Sequence, residues 1–194
     1  MKAKLSLVLI SLALGVSLLP GAENAAPPKS FMALGRFQVL FPSDQVFKDV
    51  YGSSLNSFGL ELRRNIGSLF AVWAEAAFLS QKGSLTFTGE ETRLSLIPLE
   101  AGLLVRLKEG TWTPYAGVGA GIFILKEESD VLGKSTSNSL GFCLLAGIDF
   151  DLASLIFIDA RVKYQVCKTG TTDPGVSDVD LGGLVVSGGI GIRF

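Results

Sequence analysis

The segment LIFIDARVKYQV, residues 155–166, decides the fold of this chain because its polarity alternates from one residue to the next. Its even-numbered positions from 156 to 166 are all apolar or aromatic, whereas Asp159, Arg161, Lys163 and Gln165 occupy odd-numbered positions. Successive side chains of a β-strand point to opposite faces. The pattern therefore predicts a strand with one wholly apolar face and one strongly charged face.

Seven further segments between residues 31 and 194 alternate in the same way. In 97–107, for example, Glu100 and Arg106 both lie opposite an unbroken row of apolar side chains. The segment 114–126 alternates glycine with apolar residues, so its facing is the least defined. Eight such segments predict an all-β fold, an eight-stranded antiparallel up-and-down transmembrane β-barrel spanning residues 31–194.

The predicted connectors fall into two groups that support this strand count. The connectors 64–68, 108–112 and 153–154 are short, whereas 42–54, 80–92, 127–139 and 168–182 are long and polar. Outer-membrane barrels have short periplasmic turns and long extracellular loops. We therefore expect the long loops to be extracellular.

The N-terminal residues have the pattern of a secretory signal peptide. Lys2 and Lys4 precede an apolar run at 5–19 and a small-residue boundary at 20–22. We predict a signal peptide over 1–22, with cleavage between 22 and 26, and a short linker over 23–30. The apolar run is shorter than the roughly 20 residues of a spanning helix, and no later apolar stretch is long enough either.

The apolar strand faces are predicted to contact lipid. They continue for six or seven alternate positions in several segments, enough to cover the apolar band of about 25 Å on such barrels. The opposite faces are rich in Gly, Ser and Ala and poor in charge, unlike the outside of a soluble barrel. A soluble periplasmic ligand-binding barrel remains the alternative.

The inward positions carry a near-balanced set of charges. The lumen of an eight-stranded barrel is just wide enough for side chains to fill it, and unpaired buried charges are costly. We therefore predict a structural network of paired lumenal charges. For Arg106, a member of this network, and for Asp151, which is not a member, we expect solvated positions near the barrel ends. The predicted members are Arg36, Glu61, Arg63, Glu75, Glu100, Arg106, Asp149, Asp159, Arg161 and Lys163.

Two stretches resemble the OmpA-like and opacity-type family of outer-membrane β-barrels. The run PYAGVGAG at 114–121 is similar to a glycine-rich strand of that family. The C-terminal residues Val186, Ile190, Ile192 and Phe194 resemble the signal read by the barrel assembly machinery. The resemblance implies an outer-membrane location, with membrane lipid and the assembly machinery as partners.

Several kinds of chemistry are disfavoured. The chain has no histidine, which removes Ser-His and Cys-His catalysis and His-ligated metals. We expect no enzyme activity, cofactor or metal, and the near-equal 17 basic and 18 acidic residues argue against nucleic-acid binding.

Cys143 and Cys167 are predicted to be free thiols. The acidic pair Asp149 and Asp151, or the acidic residues 173, 178 and 180, offer oxygen ligands for a cation, but we favour a solvated acidic loop.

The leading functional hypothesis is a small outer-membrane barrel with a structural or surface-interaction role, whose long loops meet an extracellular or host ligand. The alternative is a narrow pore or transporter for small or hydrophobic molecules.

Overall fold

The computed structural model describes residues 30–84, 91–129, 133–169 and 179–194. It contains eight long strands, a two-residue strand (Val179–Asp180) and one seven-residue helix, α1 (Gln45–Tyr51). No helix in these residues is long and apolar enough to cross a bilayer. The predicted signal peptide (1–22) and residues 23–29 of the linker lie outside the described residues. The strands are β1 (Phe31–Pro42), β2 (Leu55–Ile66), β3 (Phe70–Ser84), β4 (Glu91–Arg106), β5 (Trp112–Ser129), β6 (Gly133–Asp151), β7 (Ile156–Thr169) and β8 (Gly183–Arg193).

The strands form a closed barrel. Each strand pairs antiparallel with the next one in the chain, and β8 also pairs with β1, so that Phe37 lies opposite both Phe58 and Gly188. Closure removes the unpaired edges that an open sheet would expose. The predicted eight-stranded antiparallel barrel is confirmed.

The alternation of the sequence fixes which side chains face outward. Leu60, Leu140 and Phe142 are exposed on the outer wall, whereas Phe157 and Lys163 are buried inside. The structure also assigns the glycine-rich strand β5, whose Gly119 points into the lumen, where a Cβ atom would lie 2.5 Å from Cζ2 of Trp73. The glycine makes room for this bulky neighbour.

In two of the predicted long connectors, 80–92 and 127–139, all the described residues are strand, and this part of the prediction was wrong; residues 85–90 and 130–132 lie outside the described residues. Strand β3 continues to Ser84, and β4 begins at Glu91. Strand β5 continues to Ser129, and β6 begins at Gly133. Polar residues on both faces indicate water on both sides, but they do not end a strand. Ladder hydrogen bonds continue to satisfy the backbone beyond the bilayer.

The two ends of the barrel differ. The short-turn end carries the turns 67–69, 107–111 and 152–155 and the meeting point of Phe31 with Phe194. The opposite, long-connector end carries α1. Between them the inward side chains change from apolar to charged and back to apolar, as in β1, where Met32 and Leu34 precede Arg36 and Leu40 follows it.

Candidate functional site

Ten charged side chains lie in the lumen, from its middle to the short-turn end, and we refer to them as the charge network. They are the ten residues predicted from the sequence, five acidic and five basic, and each is at most 8% exposed. The strand alternation turns all of them inward, from strands β1 to β4, β6 and β7. Their equal number allows every charge to meet an opposite one.

Glu61 lies at the centre of the network. Its Oε1 accepts hydrogen bonds from Nε of Arg63 at 2.9 Å and from Nη2 of Arg36 at 3.2 Å. Its Oε2 accepts one from Nη1 of Arg161 at 2.6 Å. Three guanidinium groups from three strands therefore share one carboxylate.

Glu75 forms a second centre. Its Oε1 accepts hydrogen bonds from Nε2 of Gln38 at 3.0 Å and from Nζ of Lys163 at 3.3 Å. Arg161 donates to its Oε2, and Lys163 also donates to Glu100. The two centres are joined because Arg161 contacts both glutamates.

Asp149 and Asp159 extend the network toward the short-turn end. Asp149 Oδ2 accepts hydrogen bonds from Nη1 of Arg63 at 3.0 Å and from Nη2 of Arg106 at 2.8 Å. Asp159 accepts hydrogen bonds from Arg36 and, at 2.5 Å, from the hydroxyl of Tyr115. Because Asp149 is held by two guanidinium groups, it is not available as a cation ligand.

The expectation of solvated positions for Arg106 and Asp151 was wrong for Arg106 and holds only in part for Asp151. Arg106 is 8% exposed and also donates to Oδ1 of Asn65. Asp151 is half-buried and lies 2.5 Å from Nη1 of Arg193. Both lie near a barrel end, where each is held by an oppositely charged partner, Asp149 for Arg106 and Arg193 for Asp151.

Sequence reasoning missed three lumenal partners of the charges: Gln38, Trp73 and Tyr115. The guanidinium of Arg63 lies over the ring of Tyr115 at 4.6 Å, and that of Arg161 lies over the ring of Trp73 at 5.8 Å. Such cation–π contacts add to the stabilisation of buried arginines. Strand parity placed Gln38 and Trp73 inward, but it gave no distances between strands. Tyr115 lies in 114–126, the segment whose facing was least defined from the sequence.

An apolar cluster closes the lumen at the long-connector end, and we refer to it as the apolar plug. Helix α1 contributes Phe47 and Tyr51, whose rings lie 4.9 Å apart, and the strands contribute mostly leucine. Asp44 caps the helix by accepting a hydrogen bond from the Phe47 N–H at 3.1 Å. The other members of the apolar plug are Leu40, Leu55, Leu79, Leu94, Leu96, Phe123, Leu125, Cys167, Leu181 and Val185.

The remaining residues singled out from the sequence lie elsewhere. Val186, Ile190, Ile192 and Phe194 face outward, and the ring of Phe194 stacks on that of Phe31 with centroids 6.1 Å apart.

Cys143 and Cys167 are buried free thiols on β6 and β7. The register places Cys143 opposite Gln165, two residues out of line with Cys167. Of the acidic residues in the last connector, 173 and 178 lie outside the described residues.

A closed antiparallel eight-stranded barrel with an apolar outer wall and a packed charged interior is the architecture of small bacterial outer-membrane proteins. This chain belongs to the family described as outer membrane protein beta-barrel domain, whose model matches residues 9–194. It is a small outer-membrane β-barrel, and the resemblance found in the sequence is confirmed.

Solved structures of other outer-membrane barrels are similar to this chain. Neisserial surface protein A is 15% identical, with a TM-score of 0.58 over 86% of this chain and 98% of that chain. Ail of Yersinia pestis, in complex with the heparin analogue sucrose octasulfate, is 19% identical, with a TM-score of 0.55 over 85% of this chain and 97% of that one.

Outer membrane protein W of E. coli is 14% identical to this chain, with a TM-score of 0.52 over 85% of this chain and 97% of that chain. Identities this low show a common fold. No curated protein sequence matches this chain.

Proposed function

We propose that this protein is a closed outer-membrane anchor, which holds the connectors of its long-connector end at the cell surface to meet an extracellular or host ligand. The short-turn end then lies in the periplasm, as in other barrels of this kind. The observation that carries the proposal is closure of the lumen at two levels, by the apolar plug and by the charge network. A water-filled pore needs a continuous open path.

The role proposed for the charge network is structural. Each of its carboxylates contacts at least one cation, and Glu61 and Glu75 contact three each. Removing one member of a buried pair leaves an uncompensated charge, which is strongly destabilising. The network therefore favours one arrangement of the strands. We assign no catalytic role to it, because its carboxylates are already engaged by cations.

Export and assembly follow from the same proposal. The segment 1–22 acts as a cleaved signal peptide, and Val186, Ile190, Ile192 and Phe194 present the assembly signal. Their outward orientation leaves the four side chains open to contact with another protein during insertion.

The charge of the connectors suggests the kind of ligand. In the sequence, the segments 43–54, 80–92, 127–139 and 168–182 contain ten acidic and four basic residues. Such a surface attracts cations and repels polyanions. We therefore infer a cationic surface ligand and not a polyanion of the kind bound to Ail in its structure. Proteoliposomes containing the protein should capture more polylysine than heparin relative to empty vesicles, and the reverse result contradicts this inference.

Planar-bilayer recording tests the closed lumen. The purified protein should show no sustained conductance, and the variant Phe47→Ala/Tyr51→Ala should also stay closed because the charge network still blocks the lumen. Steady conductance of the unaltered protein would overturn the proposal and favour the narrow pore. Protease treatment of intact cells tests the orientation, because cleavage should occur only in the connectors of the long-connector end.

A further inference from the structure

A cavity of about 510 Å³, lined by glycine and by residues with polar or charged side chains, opens at the short-turn end of the barrel. Three turns and the last strand contribute to it. Gly67 and Ser68 come from the first turn, Lys108 from the second and Ser154 from the third. The inward residues around them complete the wall: Asn65, Arg106, Thr113, Asp151 and Arg193.

The lining of this cavity has an excess of positive charge. It contains the cations Arg106, Lys108 and Arg193 but one acid, Asp151. Asp151 lies 2.5 Å from Nη1 of Arg193 and 3.9 Å from Nζ of Lys108, so one carboxylate serves two cations. The acid behind Arg106, Asp149, is likewise shared with Arg63. The cavity therefore differs from the balanced network beside it.

Two residues of the lining carry further hydrogen-bond donors. Nε of Arg106 has no hydrogen-bond partner within the described ranges and is inaccessible to solvent, in a side chain that is 10% exposed. Thr113, a buried residue with a hydroxyl group, lines the same space. A buried donor without a partner is costly, and that cost falls if the Arg106 side chain turns Nε toward an acceptor bound in the cavity.

We propose that this cavity binds a phosphate group, carried either by a phospholipid headgroup of the adjacent leaflet or by a soluble phosphate ester. Guanidinium and ammonium groups are the usual partners of phosphate in proteins. A phosphate presents acceptor oxygens in several directions, which suits donors from Arg106, Lys108, Thr113 and Arg193 on different walls. The site lies outside the proposed surface-ligand region, and its occupancy is independent of lumen closure.

Calorimetry with glycerol 3-phosphate, on protein refolded into a neutral detergent, tests the site. Lys108→Glu should abolish binding, and Thr113→Val, which removes a hydroxyl but no charge, should weaken it about tenfold, as expected for a hydrogen bond to a charged group. The control Lys48→Glu makes the same charge change on α1 at the opposite end and should leave binding unaltered. Heat-modifiable migration in a gel reports that each variant is folded.

Nanodiscs containing phosphatidylglycerol and phosphatidylcholine, followed by native mass spectrometry, distinguish the two sources of phosphate. Selective retention of phosphatidylglycerol, lost in Lys108→Glu, identifies a headgroup site, whereas binding of glycerol 3-phosphate alone identifies a soluble ester. Equal effects of Lys108→Glu and Lys48→Glu, tighter binding of succinate than of glycerol 3-phosphate, or no binding of either phosphate probe would overturn the proposal.

Discussion

Replacing Glu75 with glutamine removes one negative charge from the charge network at constant side-chain size. Lys163 Nζ lies 3.3 Å from its Oε1 and Arg36 Nε lies 3.6 Å from its Oε2, and Arg161 also contacts it. One pair at 3.3 Å corresponds to about 5 kcal/mol of Coulomb energy at an effective dielectric constant of about 20. These cations keep other partners, however, because Lys163 also contacts Glu100 and both arginines contact Glu61.

We therefore expect Glu75→Gln to lower the free energy of unfolding by about 3 kcal/mol, the lower end of the range for breaking a buried ion pair. The second variant, Lys163→Met, should also destabilise the barrel. In the double variant Glu75→Gln/Lys163→Met the network again has equal numbers of acids and bases. Its loss should therefore be smaller than the sum of the two single losses by about 1 kcal/mol or more.

Urea titration in one fixed detergent, followed by the fluorescence of the two tryptophans, Trp73 and Trp112, and by gel migration, measures all four proteins. Glu109→Gln, on the exposed short turn between β4 and β5, is the matched control and should change stability by less than about 0.5 kcal/mol. Losses that add to within about 0.5 kcal/mol would show that Glu75 and Lys163 do not interact, and the description of a coupled network would be refuted.

Three further predictions concern the wall, the packing and the thiols. Val162→Arg places a cation on the lipid-facing side of β7 and should cost about 2 to 4 kcal/mol of folding free energy in a bilayer. Val162→Leu is the control, and equal stabilities of the two variants would contradict the assigned facing. Gly119→Val should cost about 1 to 3 kcal/mol in urea titration because its side chain meets Trp73, whereas Gly35→Ala, at an outward position with nothing within 4 Å, should cost far less. Cys143 and Cys167 are buried and should react with a charged thiol reagent only after unfolding, as followed by mass; an exposed control, Ser53→Cys, should react at once.

The sequence by itself determined the class of fold and the facing of most strands. Alternation in 155–166 and seven similar segments requires strands with two unlike faces, and a lipid environment demands that such strands close into a barrel. Because side-chain parity is a local property, the inward position of Arg36, Glu61 and Lys163 could be read without coordinates.

Only the tertiary structure decided which inward residues meet, because contacts across the lumen depend on the register and tilt of strands far apart in the chain. Arg161 and Glu61 lie 100 residues apart yet share a hydrogen bond. The apolar plug and the cavity at Arg106 likewise arise where several strand ends converge, and no single segment carries their pattern. The prediction of connectors at 80–92 and 127–139 was wrong because the polarity of a residue indicates contact with water and not the end of backbone pairing.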